Sequence, residues 1–417
     1  MSGNKHTLTC PKCGTQNEPR GRAMTLALTC RSCNWYFRAG TWNKSTEEFP
    51  HQEHQAIPLG AKGKFDGYVY EVMGFVVKQE LKYKYRWREY LIFNPFRGYA
   101  FLSEYNGHWN FMWPIESDPR NHVSQQHFEY QKNHYDLYQK YNADVVYARG
   151  EFFFDVVDMT AATQNYEYIS PPHILALEQS DDSELWCQGE YFSRREIAEA
   201  FSISRSKLPG RNGIGYTQPF NSSFSEKALI SFTVMMILLT LVIQLVMNNM
   251  SSDKIVFRAE YSKAELADQK VLVTPSFTLA NGPKSLEVLL YAPLDNDWFF
   301  SEFSLISESD GTEYNFTKEV AYYAGVDDGY AWSEGSQTAE AFLSQIPAGT
   351  YHLNIYPEFS FNNQAFSIVV RHDVPMFVNF FITCFGLLVV PLTYYLRRHY
   401  RETSRWSESD YSPYSSE

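Results

Sequence analysis

The chain has 417 residues, enough for roughly two to four compact domains rather than one. Apolar residues make up 44% and charged residues 20%, with 22 Gly and 19 Pro, which excludes a disordered, collagen-like or linker-like polymer. The net charge of -12 is unevenly spread: residues 1–40 hold six basic residues and one acid, whereas residues 248–373 sum to -11. That asymmetry speaks about partners rather than about fold. Aromatic residues at 17% favour β-rich domains, whose pleated surfaces pack such side chains well.

The first motif is Cys10-Pro11-Lys12-Cys13, a 16-residue spacer, then Cys30-Arg31-Ser32-Cys33. Each CxxC turn places two thiolates on one side of a tight loop, and a hairpin brings the turns together as a tetrahedral site suited to Zn²⁺. A segment this short cannot bury enough core to fold without the ion, and four cysteine ligands leave no open position, so the zinc is expected to be structural. Two disulfides or a redox pair are the alternatives, disfavoured in a reducing compartment. The pattern resembles a rubredoxin-like zinc ribbon over residues 8–38, within a ribbon domain of residues 1–40. His51 and His54 follow and read as solvated linker rather than ligands. Lys5, Lys12, Arg20, Arg22, Arg31 and Arg38, with Trp35, Tyr36 and Phe37, could contact phosphates and stack on bases. The preferred reading makes Trp35 and Phe37 ribbon core and the cations a solubilising surface, with nucleic acid kept as an alternative partner.

Residues 41–56 read as a linker, and from Ile57 the pattern becomes short alternating strands with glycine punctuation. Strands are predicted over 68–78, 87–93, 99–104 and 109–113, joined by Asn94-Pro95 and Asn106-Gly107 turns, as a small, highly curved barrel or sheet. The opening PLGAKGKFDGYVYEVMGF, with Gly60, Gly63 and Gly67, is followed by Trp87-Arg88-Glu89-Tyr90 and Asn106-Gly107-His108-Trp109. The stretch closes on Trp186 and Gly189-Glu190-Tyr191 before a short helix at 194–201. In these features residues 57–202 resemble the bacterial domain-of-unknown-function family 4178. The resemblance implies a β-rich soluble module beside membrane and zinc-ribbon segments, and it supplies no catalytic residues.

Within this module, 57–205, the lone Cys187 reads as packing. Glu184, Glu190, Asp181 and Asp182 form an acidic stretch expected to be turn surface. His122, His127 and His134 do not share one helical face and read as solvated. HExxH, GxSxG, Walker, kinase and Rossmann patterns are absent, so no catalytic or cofactor-binding residue is expected and the reading leans away from an enzyme. Residues 206–227 read as a flexible lead-in.

Two uncharged runs then organise the chain: Ala228 to Met247, 20 residues, and Val374 to Leu396, 23 residues. At about 1.5 Å rise per residue both can cross a hydrocarbon core about 30 Å thick. Pro375 fits a first helical turn and Pro391 is expected to kink the second span, while Gln244, Asn379 and Thr383 are expected to join helices. No signal peptide precedes the first run, which is expected to act as an uncleaved anchor. Arg205, Lys207, Arg211 and Lys227 before it, and Arg397, Arg398 and Arg401 after the second, put both termini in the cytoplasm of a bacterial inner membrane. Residues 248–373 then lie outside, free of cysteine. Strands predicted over 285–291, 300–306, 314–319, 351–356 and 365–371 make them a β-sandwich. Asp295-Asn296-Asp297 and Asp327-Asp328 read as turns before calcium loops. Residues 397–417 are expected to be a disordered tail.

The sequence thus predicts a multidomain, mainly β membrane protein holding one structural zinc on Cys10, Cys13, Cys30 and Cys33. Lipid and a protein are its expected partners, in a non-enzymatic adaptor or sensor role. Membrane-tethered nucleic-acid binding, or an enzyme sited in the cytoplasmic module, are the alternatives.

Overall fold

The computed structural model describes residues 7–21, 24–39, 47–49, 53–120, 126–156, 163–180, 184–220, 225–266 and 269–414. The chain is mainly β and divides into two compact units, Met1–Ser223 with Tyr394–Glu417, and Phe224–Thr393.

The first unit is built on eight antiparallel strands: β1 Tyr68–Glu80, β2 Arg86–Asn94, β3 Gly98–Tyr105, β4 His108–Ile115, β5 Asn133–Phe152, β6 Gln164–Ser170, β7 His173–Gln179 and β8 Glu184–Phe192. β1 to β4 form one meander and β5 to β8 a second. β5 pairs with β1 and β8 with β4, so the sheet closes into a barrel and loses its edges. The Asn106-Gly107 turn has φ of +51 and +77, the left-handed pair that a tight hairpin requires. The predicted strands of the first meander agree with the structure to within two residues at either end.

Alternation sorts the side chains between two environments. Outward-facing Phe75, Val77, Tyr90, Ile92, Leu102, Trp109 and Phe111 of the first meander pack with Ile57, Phe65 and the short helix α1, Arg194–Ala200, whose Phe201 completes the cluster. Ser193 and Glu196 cap that helix reciprocally. On the second meander, Leu137, Tyr168, Leu175, Leu177 and Trp186 are covered by Phe128 of a hairpin strand, His127–Tyr130.

Residues 206–220, expected to be a flexible lead-in, are instead packed against the barrel. Thr217 is buried and donates to Asn110 Oδ1 at 2.5 Å, and Asn110 Nδ2 donates to the Tyr216 hydroxyl at 3.2 Å. A Pro/Gly-rich composition marked this stretch as a loop, which it is, but not as an unattached one.

The second unit holds a four-stranded sheet (Lys254–Ser262, Ala365–His372, Lys284–Tyr291, Thr338–Ile346) and a six-stranded sheet centred on Gly349–Phe359, Asp297–Ser307 and Glu313–Asp327. Leu286, Val288, Leu290, Phe366 and Ile368 of one sheet and Phe299, Phe303, Leu305, Leu353 and Ile355 of the other share one core. A four-residue helix α3, Lys263–Leu266, adds Leu266 to it.

Two helices are long and apolar enough to cross a membrane: α2, Glu226–Met250, and α4, Val378–Trp406. Ile230, Val234, Leu238, Val242 and Leu245 of α2, and Phe381, Phe385, Leu388 and Leu392 of α4, are exposed, an arrangement stable in lipid and costly in water. Pro375 precedes α4 instead of starting it, and α4 continues through Pro391. Thr383 bonds back to Asn379 O at 2.8 Å, while Gln244 reaches across to Met376 O at 3.2 Å.

The expected disordered tail is corrected over residues 397–414. α4 carries on to Trp406, where Arg405 and Trp406 are buried.

A four-cysteine cluster and a polar barrel lumen as candidate sites

The cysteine cluster is two copies of one local device. Gly14 (φ +71) donates its N–H to Cys10 O at 3.0 Å, and Asn34 (φ +57) donates to Cys30 O at 2.9 Å. Cys10 N–H then reaches Thr15 O at 2.9 Å, and Cys30 N–H reaches Trp35 O at 2.8 Å. Each left-handed residue turns the chain so that both thiols of its pair point the same way. Leu8–Thr9 with Gln16–Asn17, and Ala27–Thr29 with Trp35–Arg38, form the hairpins that carry the two turns. Ala27–Thr29 also pairs with the end of β5 (Leu28 opposite Glu151), and the Gly150 N–H, at φ +107, donates to Thr29 Oγ1 at 2.7 Å.

Cys10 and Cys33 Sγ lie 3.7 Å apart, Cys13 and Cys30 Sγ 3.6 Å apart, and all four within 4.8 Å of one another. A metal at about 2.3 Å from four sulfurs requires edges of about 3.8 Å, whereas a disulfide requires about 2.05 Å. The residues therefore fit a tetrahedral metal ion. The Thr15 hydroxyl, 3.2 Å from Cys13 Sγ, pulls that thiol down to about 6, and burial pushes Cys33 up to about 12. Four thiols this close cannot all ionise without a positive charge among them, and a cation supplies it.

The ribbon's basic residues are largely engaged. Lys12 Nζ sits 4.3 Å over the Trp35 ring, Arg20 pairs with Glu71 at 3.5 Å and Arg38 pairs with Asp155, while Tyr36 and Phe37 are buried. Lys5, Arg22 and His51 lie outside the described residues. His54 is exposed and takes no part in the cysteine cluster.

The second candidate was missed by sequence reasoning. Inside the barrel, Lys78 of β1 reaches Glu89 of β2 at 3.0 Å and Glu178 of β7, across the lumen, at 2.9 Å. Burial pulls the Lys78 ammonium down, but the two carboxylates outweigh it and hold the group charged. Lys78, Glu89, Glu178 and Cys187 line a cavity of about 110 Å³ floored by Phe153 and Phe154. Burial raises the Cys187 thiol above its ordinary range, so it is an inert wall here.

Ser103 belongs both to that cavity and to a larger one of about 350 Å³. Tyr85, Trp87, Tyr105, Tyr138, Tyr141 and Tyr216 wall the larger cavity, with ring centroids such as Trp87–Tyr141 5.3 Å and Tyr138–Tyr216 5.2 Å apart. Glu167 of β6 opens onto it, accepting from the Tyr141 hydroxyl at 2.9 Å, and burial pushes its carboxyl up to about 7. Ser407, Glu408, Ser409 and Asp410, just beyond α4, complete the lining. Arg405 fixes that segment by donating to Gly215 O at 3.2 Å, Tyr216 O at 2.7 Å and Gln218 O at 2.7 Å. Glu402 neutralises it at 3.0 Å, and the Tyr138 hydroxyl donates to Arg405 O at 2.9 Å.

Other predicted residues are scattered. Glu184 pairs with Arg120 at 3.2 Å, and Glu190 stands six residues further along β8, about 20 Å away. Asp181, Asp182 and His122 lie outside the described residues. His127 and His134, rejected on helical spacing, meet across a hairpin instead, both against Asp136 Oδ1 at 2.7 and 3.1 Å. Asp327-Asp328-Gly329 is a hairpin turn (φ +50 at Asp328, +83 at Gly329), and Asn296 Oδ1 accepts from Ala324 N–H at 2.9 Å to close the other turn.

Comparison with known proteins is sparse. No curated protein matches the chain. Two crystal structures of PNGF-II, in space groups P21 and C2, match at 7% identity. The first covers 73% of this chain and 68% of that one with a TM-score of 0.19, the second 74% and 68% with 0.17; overlap at those scores says nothing of this fold. Residues 58–194, a stretch that takes in all eight barrel strands, match the family described as a domain of unknown function, DUF4178; the match lies after the four-cysteine cluster and before the two long apolar helices.

Proposed function

We propose that the chain is a non-enzymatic membrane adaptor or sensor of the bacterial inner membrane, with α2 and α4 spanning it and both termini in the cytoplasm. The sandwich of residues 248–373 faces outward, and the ribbon and barrel dock a protein inside. One Zn²⁺ on Cys10, Cys13, Cys30 and Cys33 is a structural staple; when bound it supplies only coordination, since four thiolates leave it no open position. The ribbon's own residues set the geometry: Gly14 and Asn34 turn the knuckles, and Asn17 Nδ2 at 3.7 Å and the Ser32 N–H at 3.4 Å point donors at Cys30 Sγ.

The observation that carries this reading is the path of α4. One helix holds the second apolar stretch and ends with Arg405 buried among the carbonyls of Gly215, Tyr216 and Gln218, followed directly by residues that line the barrel cavity. The residues that line the cavity follow that helix directly in the chain, a continuity that a sensor would use. The charge of -11 over residues 248–373 gives the outer face a character unlike the basic ribbon, consistent with separate partners on the two sides.

The test is in-cell photocrosslinking with separate baits in the ribbon and in residues 248–373. A specific protein recovered with each bait is expected; recovery of nothing reproducible from either bait rejects the adaptor reading. Metal analysis of the purified chain should find about one zinc per chain, lost in Cys30→Ser, with protease cleavage appearing within residues 8–38.

A further inference from the structure

The 350 Å³ cavity has a composition that selects its occupant. Among the described residues lining it, three are carboxylates (Glu167, Glu408, Asp410) and none is lysine or arginine. The nearby cations are engaged elsewhere: Lys78 with Glu89 and Glu178, Arg405 with Glu402 and three main-chain carbonyls, and Lys82, at the rim beside Asp410, over the Tyr83 ring at 4.4 Å. Apart from the neutral polar Ser103, Gln139, Ser407 and Ser409, the walls are tyrosine and tryptophan, whose ring faces attract positive charge. Glu167 is the decisive residue. It stands mid-strand in the lumen and accepts from the Tyr141 hydroxyl; among the described residues no cation pairs with it directly, and Lys78 acts on it only from further off. A protein spends stability to keep a carboxylate there, and the group is poised to ionise when a cation arrives.

From these rings around a half-buried carboxylate that lacks an ion-pair partner among the described residues, we infer that the barrel binds a small organic cation, of the alkylammonium class. An anion would meet three like charges. A neutral molecule of the same shape would gain the apolar walls but leave Glu167 without a counter-charge. A cavity of about 350 Å³ lies at the small end of ligand sites and suits a head group of a few carbons. Because Ser407 to Asp410 line the same space, the cation touches the segment that follows α4. The inference thus deepens the sensor reading, on which it rests for its purpose though not for its chemistry.

The experiment uses the full chain in detergent at about pH 8, where Glu167 is mostly ionised, with isothermal titration calorimetry. The probes are choline, tetramethylammonium and the neutral carbon isostere of choline, 3,3-dimethylbutan-1-ol. Choline and tetramethylammonium are expected to bind, and choline about tenfold or more tighter than its isostere. Glu167→Gln should weaken choline by about tenfold or more while leaving the isostere unchanged, and Trp87→Leu should weaken both cations. Equal affinity for choline and its isostere, no cation binding at millimolar concentration to chain that melts cooperatively, or an unaltered choline affinity in Glu167→Gln would each overturn the proposal. Cation binding without crosslinked partners would sink only the sensor reading; partners without cation binding would sink only this one.

Discussion

At the scale of single residues, Glu167 makes a prediction independent of any ligand. Its carboxyl is held up at about 7 by burial, above the ordinary carboxylate value, so the folded chain binds a proton that the unfolded chain has already released. Stability contributed by that protonated form is present at low pH and is lost as pH rises from the unfolded value toward and through about 7. Glu167→Gln should accordingly stabilise the barrel at about pH 8, by on the order of 1–3 kcal/mol, and change little near pH 5. Denaturant melts of the full chain in detergent measure this; equal effects at both pH values would refute it. The residue was not legible in the sequence because Tyr166-Glu167-Tyr168 resembles any solvent-facing alternation. Only barrel closure decides that the even-looking polar face of β6 is an interior. The four cysteines were legible, since their chemistry is carried by spacing alone.

At the scale of elements, the tail of α4 behaves as a clasp. Arg405 is 2% exposed and its guanidinium donates to three carbonyls and to Glu402, so its removal leaves buried acceptors and a carboxylate unmatched. Arg405→Ala should cost about 2–4 kcal/mol of docking and make residues 407–414 sensitive to limited proteolysis, while β1 to β8 stay folded. Arg405→Lys should rescue only in part, because an ammonium cannot fork to Gly215, Tyr216 and Gln218 together. Ser- and Tyr-rich composition concealed this clasp: low apolar content predicts disorder, and a single buried arginine is not a compositional signal. Likewise Tyr330–Ser336, exposed on both faces, offers no alternation by which a strand could be recognised, whereas Lys284–Tyr291, buried on one face, was found to within a residue.

At the scale of the whole chain, its mainly β character, the four-cysteine cluster, a curved β module and two long apolar helices were readable, because each follows from composition, spacing or periodicity. The packing of 206–220 and of residues after 396 onto the barrel was not, because it depends on contacts between residues 107 to 267 positions apart. The topology itself awaits a measurement. A periplasm-active reporter inserted near residue 310 should be active and the same reporter after residue 414 should be silent; the reverse pattern would remove the basis for separate partners on two sides.

The clasp also fixes an order of events during synthesis. The meander from Tyr68 to Ile115 can pair as it leaves the ribosome, and the ring can close once Phe192 has emerged, yet its mouth stays unsealed. The residues that seal it, Arg405 to Asp410, are translated only as the second long apolar helix ends and just beyond it. A nascent or truncated chain ending before α4 therefore exposes Tyr138, Ile169 and Tyr216 to solvent and to chaperones, and the finished lumen exists only in chains whose helical segments have been completed.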